Sequence, residues 1–457
     1  MTMWHPLGEY IHKVNERAKD IEREAVIHNV TIPNFGECPF YNRLETIKNY
    51  GDSEDYRLVK IFEPLIIREQ YWNGMNLALF KYNSYIILNE LGYGSDFFEL
   101  YDGLYRSCRS IVFDVDNEEV VLASLDKFKN YGEELEGDWS EKAVQKKIAE
   151  SSHYYVTDKM DGSYQQFRWI REYESVLGSG SQSLSDNESW RLRKGYDLLD
   201  SNYKAMLRNS PDFTFCFEFV SPDNPIVVKY TKEQEGLYLF AARNVIDGRE
   251  ISIPTLHEIA SYYNVKMVKW YENENLETVL SELDKYKSNE KEGWVFSIHS
   301  PMDLMKPFRV KIKTDDYVLI HKALAKSVSP NAIIRAVHDG KWDDFEAKIP
   351  EAYKDVTSEI VNDVLDYLMK VNAVVHYYYT QMKKEIKNIE NRKANMVWIE
   401  TNVPKFMQGY VRSLYLEREV DYLKKIDTED SGLYGLNEIR RRNEKLDKIY
   451  KEISIHF

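Results

Sequence analysis

The sequence predicts an α+β protein with antiparallel sheets, followed by an all-helical C-terminal domain. Three observations predict it. From about Leu77 to Lys313 short β-rich runs are separated by turns. Helical patterns interrupt that region, a mixture that reads as α+β. After about Ile320 the β signal stops and apolar residues recur at helical spacing.

Taken in order, Ile11, Val14, Ala18, Ile21 and Ala25 alternate spacings of three and four, which predicts an amphipathic helix over 9–27. Strands are expected at Ser110–Asp114, Tyr154–Lys159, Phe213–Val220, Leu237–Ala241, Trp294–Ile298 and Arg309–Lys313. Asp247-Gly248 is a hairpin-type turn signal. Helices are expected near Ser189–Leu207 and Pro254–Tyr263. Ile360, Val364, Leu365, Leu368, Val371 and Val375 mark a long helix, and the segments to Phe457 read as helical too. A boundary falls near 320–330, at Lys326-Ser327-Val328-Ser329-Pro330. The expected organisation is a helical N-terminal extension over 1–76, an α+β domain over 77–325 and a helical domain over 326–457. No internal repeat or low-complexity tract interrupts it.

At 457 residues the chain exceeds the usual size of one domain, consistent with at least two. Hydrophobic residues at 43% and charged residues at 30% are a globular balance, which excludes a disordered chain. The 34 tyrosines suit a core, and they equally suit stacking on bases. Cys38, Cys108 and Cys216 form no CxxC pair and no zinc spacing, so a reduced, cytoplasmic compartment is expected. No apolar run approaches the roughly 18 residues of a membrane span. Met1–Tyr10 lacks the regions of a signal peptide. A net charge of -14 excludes a protein coated in basic surface for duplex binding, but a cleft can be basic while the remaining surface is acidic.

The chemistry centres on Lys159-Met160-Asp161-Gly162-Ser163. A Lys-x-Asp-Gly arises by chance in about one chain in twenty of this length, so alone it equally fits a strand ending in a turn. Its neighbours add to it. Phe213, Phe215, Phe217 and Phe219 fall on one face of a strand, which packs into a core. Glu218 is the lone charge on the other face, where either a ligand or solvent would lie. Arg309, Lys311 and Lys313 share one face of their strand and Val310 and Ile312 the other. Cations two residues apart repel unless an anion such as a triphosphate lies across them. A solubilising edge strand shows the same pattern. Glu292-Gly293 places a carboxylate beside a tight backbone approach, suited to metal or lysine contact. Arg109 and Lys127 add two cations upstream. No P-loop is present, and the ten histidines show no metalloprotease spacing. Asp114-Val115-Asp116-Asn117 lacks the glycine of a calcium loop and reads as a turn. His153 reads as structural.

The order Arg109, Lys127, Lys159-x-Asp-Gly, Glu218, Glu292-Gly, Lys311-x-Lys313 resembles the covalent nucleotidyltransferases, the ligases and capping enzymes. More closely it resembles the RNA ligase 1 family, the tRNA-repair RNA ligases of T-even bacteriophages. Phe80-Lys81-Tyr82-Asn83, Cys108-Arg109-Ser110-Ile111-Val112-Phe113, Ala123-Ser124-Leu125-Asp126-Lys127-Phe128 and Asn130-Tyr131-Gly132-Glu133 carry the likeness upstream of the lysine. Phe217-Glu218-Phe219-Val220-Ser221-Pro222-Asp223-Asn224 and Lys311-Ile312-Lys313-Thr314-Asp315-Asp316-Tyr317 carry it downstream. It covers about 77–345. Two departures stand out. Gly178-Ser179-Gly180-Ser181 sits where the family usually has a lysine, and no cation stands there. Met160 follows the lysine where an acidic residue is common.

The resemblance implies an adenylyltransferase domain over 77–325, with ATP as substrate and Mg2+ or Mn2+ as cofactor. Lys159 would take AMP from ATP, pass it to the 5′-phosphate of RNA, and a 3′-hydroxyl would then displace it. Arg109 and Lys127 would contact the ATP phosphates, Glu218 the ribose, and Glu292 lysine or metal. Lys311 and Lys313 would offset charge on the phosphates, and Tyr82 and Tyr317 would lie near the nucleotide. Lysine is mostly protonated at neutral pH; nearby cations and partial burial are expected to free its lone pair. Asp343, in Asp339-Gly340-Lys341-Trp342-Asp343-Asp344, matches a magnesium-binding aspartate of the family, though the stretch equally suits a helix start. The implied partners are single-stranded RNA or nicked tRNA and an end-healing kinase/phosphatase, in the host cytoplasm if the source is viral. Tyr377, Tyr378, Tyr379, Lys383-Lys384 and Arg440-Arg441-Arg442 would contact RNA or serve as core and surface. A DNA ligase or capping enzyme would carry an OB-fold after these motifs, where this chain is helical. A non-catalytic RNA-binding protein with a vestigial nucleotide site is the rival of another class.

Overall fold

The computed structural model describes residues 4–83, 95–184, 186–187, 189–224, 226–271, 274–287, 289–318, 330–338, 342, 351–386, 391–418, 420–423 and 434–454. The chain forms two compact units, Met1–His321 and Lys322–Phe457.

The first unit begins with three helices, α1 (Pro6–Ile27), α2 (Pro39–Tyr50) and α3 (Ser53–Lys60). Leu7, Ile11, Val14, Ala18 and Ile21 form the buried stripe of α1, as its periodicity predicts. Strands β1 (Leu65–Trp72), β2 (Met75–Tyr82), β3 (Arg109–Asp114) and β4 (Glu119–Leu122) make an antiparallel sheet in that order, with helix α4 (Leu100–Ser107) between β2 and β3. The α1 stripe packs with Phe40, Phe80 and Phe113 in one core, so the helices cover a face of this sheet. The expected division at residue 76 therefore needs revision. β1 lies inside the supposed extension, and it pairs with β2 from Leu65↔Tyr82 to Trp72↔Met75. The periodicity of α1 was visible locally; the sheet it covers was not.

The second sheet runs β10-β5-β11-β12 and the third β7-β6-β8-β9. Their strands are β5 (His153–Lys159), β6 (Ser163–Ile170), β7 (Ser175–Gly180), β8 (Phe213–Val220), β9 (Gly236–Asn244), β10 (Trp270–Tyr271), β11 (Gly293–Ser300) and β12 (Asp303–Lys313). Helices α5 (Glu141–Glu150) and α9 (Leu276–Leu280) supply Val144, Leu276 and Val279 to a core with Val156, Trp294, Phe296, Val310 and Ile312. Helices α6 (Trp190–Leu198), α7 (Ser201–Asn209) and α8 (Ile253–Tyr263) cover the phenylalanine face of β8. The single helical region expected near 189–207 is thus two helices, broken at Leu199-Asp200. Asp200 caps the second by accepting from the Asn202 and Tyr203 amides.

The second unit is helical among its described residues: α10 (Pro330–His338), α11 (Glu351–Glu385), α12 (Arg392–Asn402), α13 (Gln408–Tyr415) and α14 (Tyr434–Ser454). Val364, Val371, Val374 and Val375 of α11 are buried, as are Leu436, Ile439 and Leu446 of α14, and the two helices pack together. The basic run on α14 is used internally. Arg440 pairs with Asp363, and Arg441 and Arg442 pair with Glu438. Lys383 lies 4.4 Å from the Tyr379 ring.

Candidate active site

Lys159 ends β5. In the antiparallel register it stands opposite Gly293 of β11, and Gly293 stands opposite Lys313 of β12. Glu292, one residue earlier, sits between the two lysines. Lys159 Nζ donates to Glu292 Oε2 at 2.7 Å, and Lys313 Nζ lies 2.9 Å from Oε1. Gly293 allows this arrangement. Its φ is +155°, and a Cβ there would meet the Ile312 carbonyl oxygen at 2.0 Å.

Gly162 starts the chain back along β6. Its N–H donates to Glu218 Oε1 at 3.1 Å. Phe215, Phe217 and Phe219 are fully buried as expected, but Thr214 and Cys216 on the opposite face are fully buried as well. Glu218 is therefore not part of a solvated face. Asp161 is locked rather than offered to a ligand. One oxygen accepts from the Val227 and Val228 amides, both at 2.8 Å, and the other accepts from the Tyr317 hydroxyl at 2.8 Å. Tyr317 is buried, so it braces the lysine turn from beneath. Tyr230, which sequence reading missed, accepts from the Asp161 N–H at 2.9 Å.

The cations arrive from two other segments. The stretch after Leu125 runs beside β12, where Tyr131 N–H donates to the Lys311 carbonyl and Lys311 N–H to the Lys129 carbonyl. Phe128 thereby lies 5.1 Å from the Arg109 guanidinium and 5.9 Å from Lys311 Nζ. Lys127 Nζ lies 5.1 Å from the Tyr82 ring and 4.7 Å from Phe98. Among the described residues, Arg109, Lys127 and Lys311 pair with no carboxylate. Arg309 does not join them. It pairs with both oxygens of Glu250, and Lys313 with Glu292, so of the three cations on the β12 face Lys311 alone is left uncompensated.

Electrostatics separate the two central lysines. Burial lowers the Lys311 pKa to about 7, reinforced by Lys159, Arg109, Lys313 and Lys127. Lys159 behaves oppositely to expectation. Burial works against its charge, but Glu292 and then Glu218 outweigh it, and its pKa lies above the ordinary lysine value. The carboxylates are closer than the cations, so without ligand the ammonium form is favoured. Glu292 is the lowered partner, because Lys159 and Lys313 overcome its burial. Glu218 is pushed up to about 7 by burial, with Glu292 and Asp161 adding to the rise and Lys159 opposing it.

Asp343 lies outside the described residues. Among the described residues, no group of three His, Cys, Asp or Glu could hold a metal. The carboxylate oxygens of Glu292 and Asp161 are already engaged. Asp114 accepts from the Asp116 and Asn117 amides and closes a turn. Lys81 was also missed. Sequence reading found no cation at Gly178–Ser181, yet Lys81 Nζ of β2 donates to Ser181 Oγ at 2.7 Å.

A half-buried lysine among uncompensated cations is chemistry suited to binding a phosphate group. Residues 107–317 match the family model described as RNA ligase. A putative bifunctional polynucleotide kinase/RNA ligase of Autographa californica nuclear polyhedrosis virus is 28% identical over 253 residues, spanning 53% of this chain and 35% of that protein. The match therefore spans about a third of that relative's length. Among solved structures, an archaeal ATP-dependent RNA ligase is similar at 17% identity and a TM-score of 0.43, over 76% of this chain and 86% of that one. A Naegleria gruberi RNA ligase variant with ATP and Mn is similar at 18% and 0.30, over 39% and 54%. Among the described residues, no helix is long and apolar enough to cross a membrane.

Proposed function

We propose that this chain is an ATP-dependent RNA ligase that joins a 3′-hydroxyl to a 5′-phosphate through a lysyl-AMP on Lys159. One observation carries the reading: Lys159, half-buried at the end of β5, faces a cluster in which Arg109, Lys127 and Lys311 have no carboxylate partner among the described residues. Half-buried like charges close together favour an anion between them, and a nucleoside triphosphate supplies one.

In the first step Lys159 Nζ forms a bond to the α-phosphorus of ATP and the bond to pyrophosphate breaks. The amine must lose a proton beforehand. Glu292 is the base in contact, at 2.7 Å. Lys311 and Arg109 offset charge on the departing phosphates. In the second step the phosphoramidate breaks and AMP passes to the RNA 5′-phosphate. In the third a 3′-hydroxyl attacks that phosphate and AMP leaves. Glu218 reads the ribose, and Tyr82, beside Lys127, borders the nucleotide. A divalent ion, Mg2+ or Mn2+, would be held chiefly by the phosphates, with Asp343 as proposed protein ligand; it would neutralise phosphate charge. The described carboxylates do not make such a site, and no step above runs through the metal.

The proposed substrate is single-stranded RNA or a tRNA nicked in its anticodon loop. An end-healing kinase/phosphatase is the proposed partner, an idea supported by the kinase half of the viral relative's name. The test is incubation with α-labelled ATP. The wild type should carry covalent label and Lys159→Ala none, while Lys159→Ala still seals RNA supplied already adenylylated. Label retained in the variant would remove Lys159 as nucleophile. Nicked RNA and DNA duplexes, run beside single-stranded RNA, separate this reading from a DNA ligase.

A further inference from the structure

Lys81 is a half-buried cation that nothing in the proposed chemistry uses. It lies on the face of β2 shared by Leu77 and Leu79, which form a core with Leu177 of β7. Its cross-strand partner is Arg109. Two cations directly opposite each other repel, and among the described residues no carboxylate pairs with either. Ser181 Oγ is the acceptor Lys81 reaches. A neutral hydroxyl does not neutralise a half-buried ammonium.

The backbone is bent to make this juxtaposition. Phe80 pairs with Ile111 but Lys81 with Arg109, so Ser110 is an extra residue on β3. Ser110 has φ +79°, an uncommon conformation for a non-glycine residue. Such bulges turn side chains toward sites, and such strain persists only where surroundings hold it. The surroundings here do so. Ser110 Oγ donates to the Ser181 carbonyl at 2.7 Å. Gln166, fully buried, donates to the Ser110 carbonyl at 2.6 Å and to Ser179 Oγ at 2.8 Å. Residues of β6 and of β7 with the turn after it thus hold the bulge that sets Lys81 beside Arg109.

We propose that Lys81 and Arg109, with Ser181, form an oxyanion subsite that takes one phosphate group of the ligase substrates, so that Lys81 is a further substrate-binding residue. The proposal rests on the ligase reading for its substrate, which is either a phosphate of ATP or the 5′-phosphate of RNA. The depressed pKa of Lys81, about 8, has burial and then Arg109 as causes. A bound phosphate would offset both by favouring the ammonium form.

Lys81→Met and Lys81→Arg separate binding from folding. Loss of one charge-assisted contact corresponds to about a tenfold to hundredfold weakening. In Lys81→Met the KM for ATP in adenylylation rises by at least about tenfold if ATP is the source. If RNA is the source, the KM for 5′-phosphorylated RNA rises instead, measured with pre-adenylylated enzyme. In either arm the thermal midpoint is unchanged and Lys81→Arg recovers most of the loss. Both KM values unchanged, or a loss that follows the thermal midpoint and is not rescued by arginine, overturns the subsite. Binding of inorganic pyrophosphate, by calorimetry, gives a readout without catalysis. It weakens in Lys81→Met and recovers in Lys81→Arg; equal affinity in all three proteins overturns the subsite. A wild type that binds pyrophosphate yet never forms an adduct with ATP sinks the ligase reading instead.

Discussion

Lys311 and Glu218 both titrate near neutrality, from opposite charge types. With its pKa at about 7, Lys311 is mostly neutral at pH 8 in the empty site. A triphosphate across it raises that pKa. Between the lower and the higher value the bound state holds more protons, so nucleotide binding at pH 8 takes up a proton. At pH 6 the lysine is already charged and its uptake vanishes. We expect this in calorimetry of an ATP analogue with a non-cleavable α–β bridge, titrated in buffers of different ionisation enthalpy. Lys311→Met should abolish most of the uptake and cut adenylylation by about a hundredfold or more, the scale of one preorganised electrostatic contact. Uptake equal in variant and wild type would show that another group titrates. Lys159 has the reverse problem. Its ammonium is stabilised by Glu292 and Glu218. Removing Glu292 would therefore raise the free-amine fraction while removing its base.

Helix α1 is fastened at its first turn by an acid-sensitive cap. His5 is 1% exposed. Its Nδ1 accepts from the Leu7 amide at 3.2 Å, and Nε2 faces the Ser107 carbonyl at 3.4 Å, as donor in the neutral ring. A protonated Nδ1 would lose the cap. Burial is the main cause that lowers the His5 pKa to about 4. The folded value is below the unfolded one, so between about 6.5 and 4 the unfolded chain binds more protons. Stability from this group is full above that window and falls as pH drops through it, by up to about 3 kcal/mol. His5→Asn keeps a capping acceptor but cannot take the proton. Urea midpoints from pH 7 to 4.5 should fall less steeply in His5→Asn than in the wild type; parallel curves would mean other groups carry the acid sensitivity. The cap matters beyond α1. Arg243 bonds Asp126 at 2.7 Å and lies 4.7 Å from the Trp4 ring, so the helix start adjoins the segment carrying Lys127.

At the scale of the whole molecule, the first unit contains Lys159 and the other described residues proposed to act on ATP, and has its own cores. A truncation near residue 347, which keeps Asp343, should still form the lysyl-AMP. It should lose preference for nicked tRNA over generic single-stranded RNA. If the truncated and intact enzymes select tRNA equally, specificity lies in the first unit, with α1–α3 the next region to test. Tyr377, Tyr378 and Tyr379 of α11 remain half-exposed, but the arginines of α14 are spent on Asp363 and Glu438, which narrows any RNA surface there. Alternation along β8 and β12 is a local property, so the residues alone determined that Phe215 and Phe217 face a core and that Glu218 and Lys311 lie on the faces opposite the apolar residues of their strands. Helical spacing likewise determined α1 and α11. Which charges remain uncompensated was decided only in three dimensions. Glu250 reaches Arg309 across 59 residues, Glu292 reaches Lys159 across 133, and Lys81 reaches Ser181 across 100. A cation's meaning depends on the carboxylate beside it. Strand register and a bulge at Ser110 set that neighbour, and no local pattern encodes it.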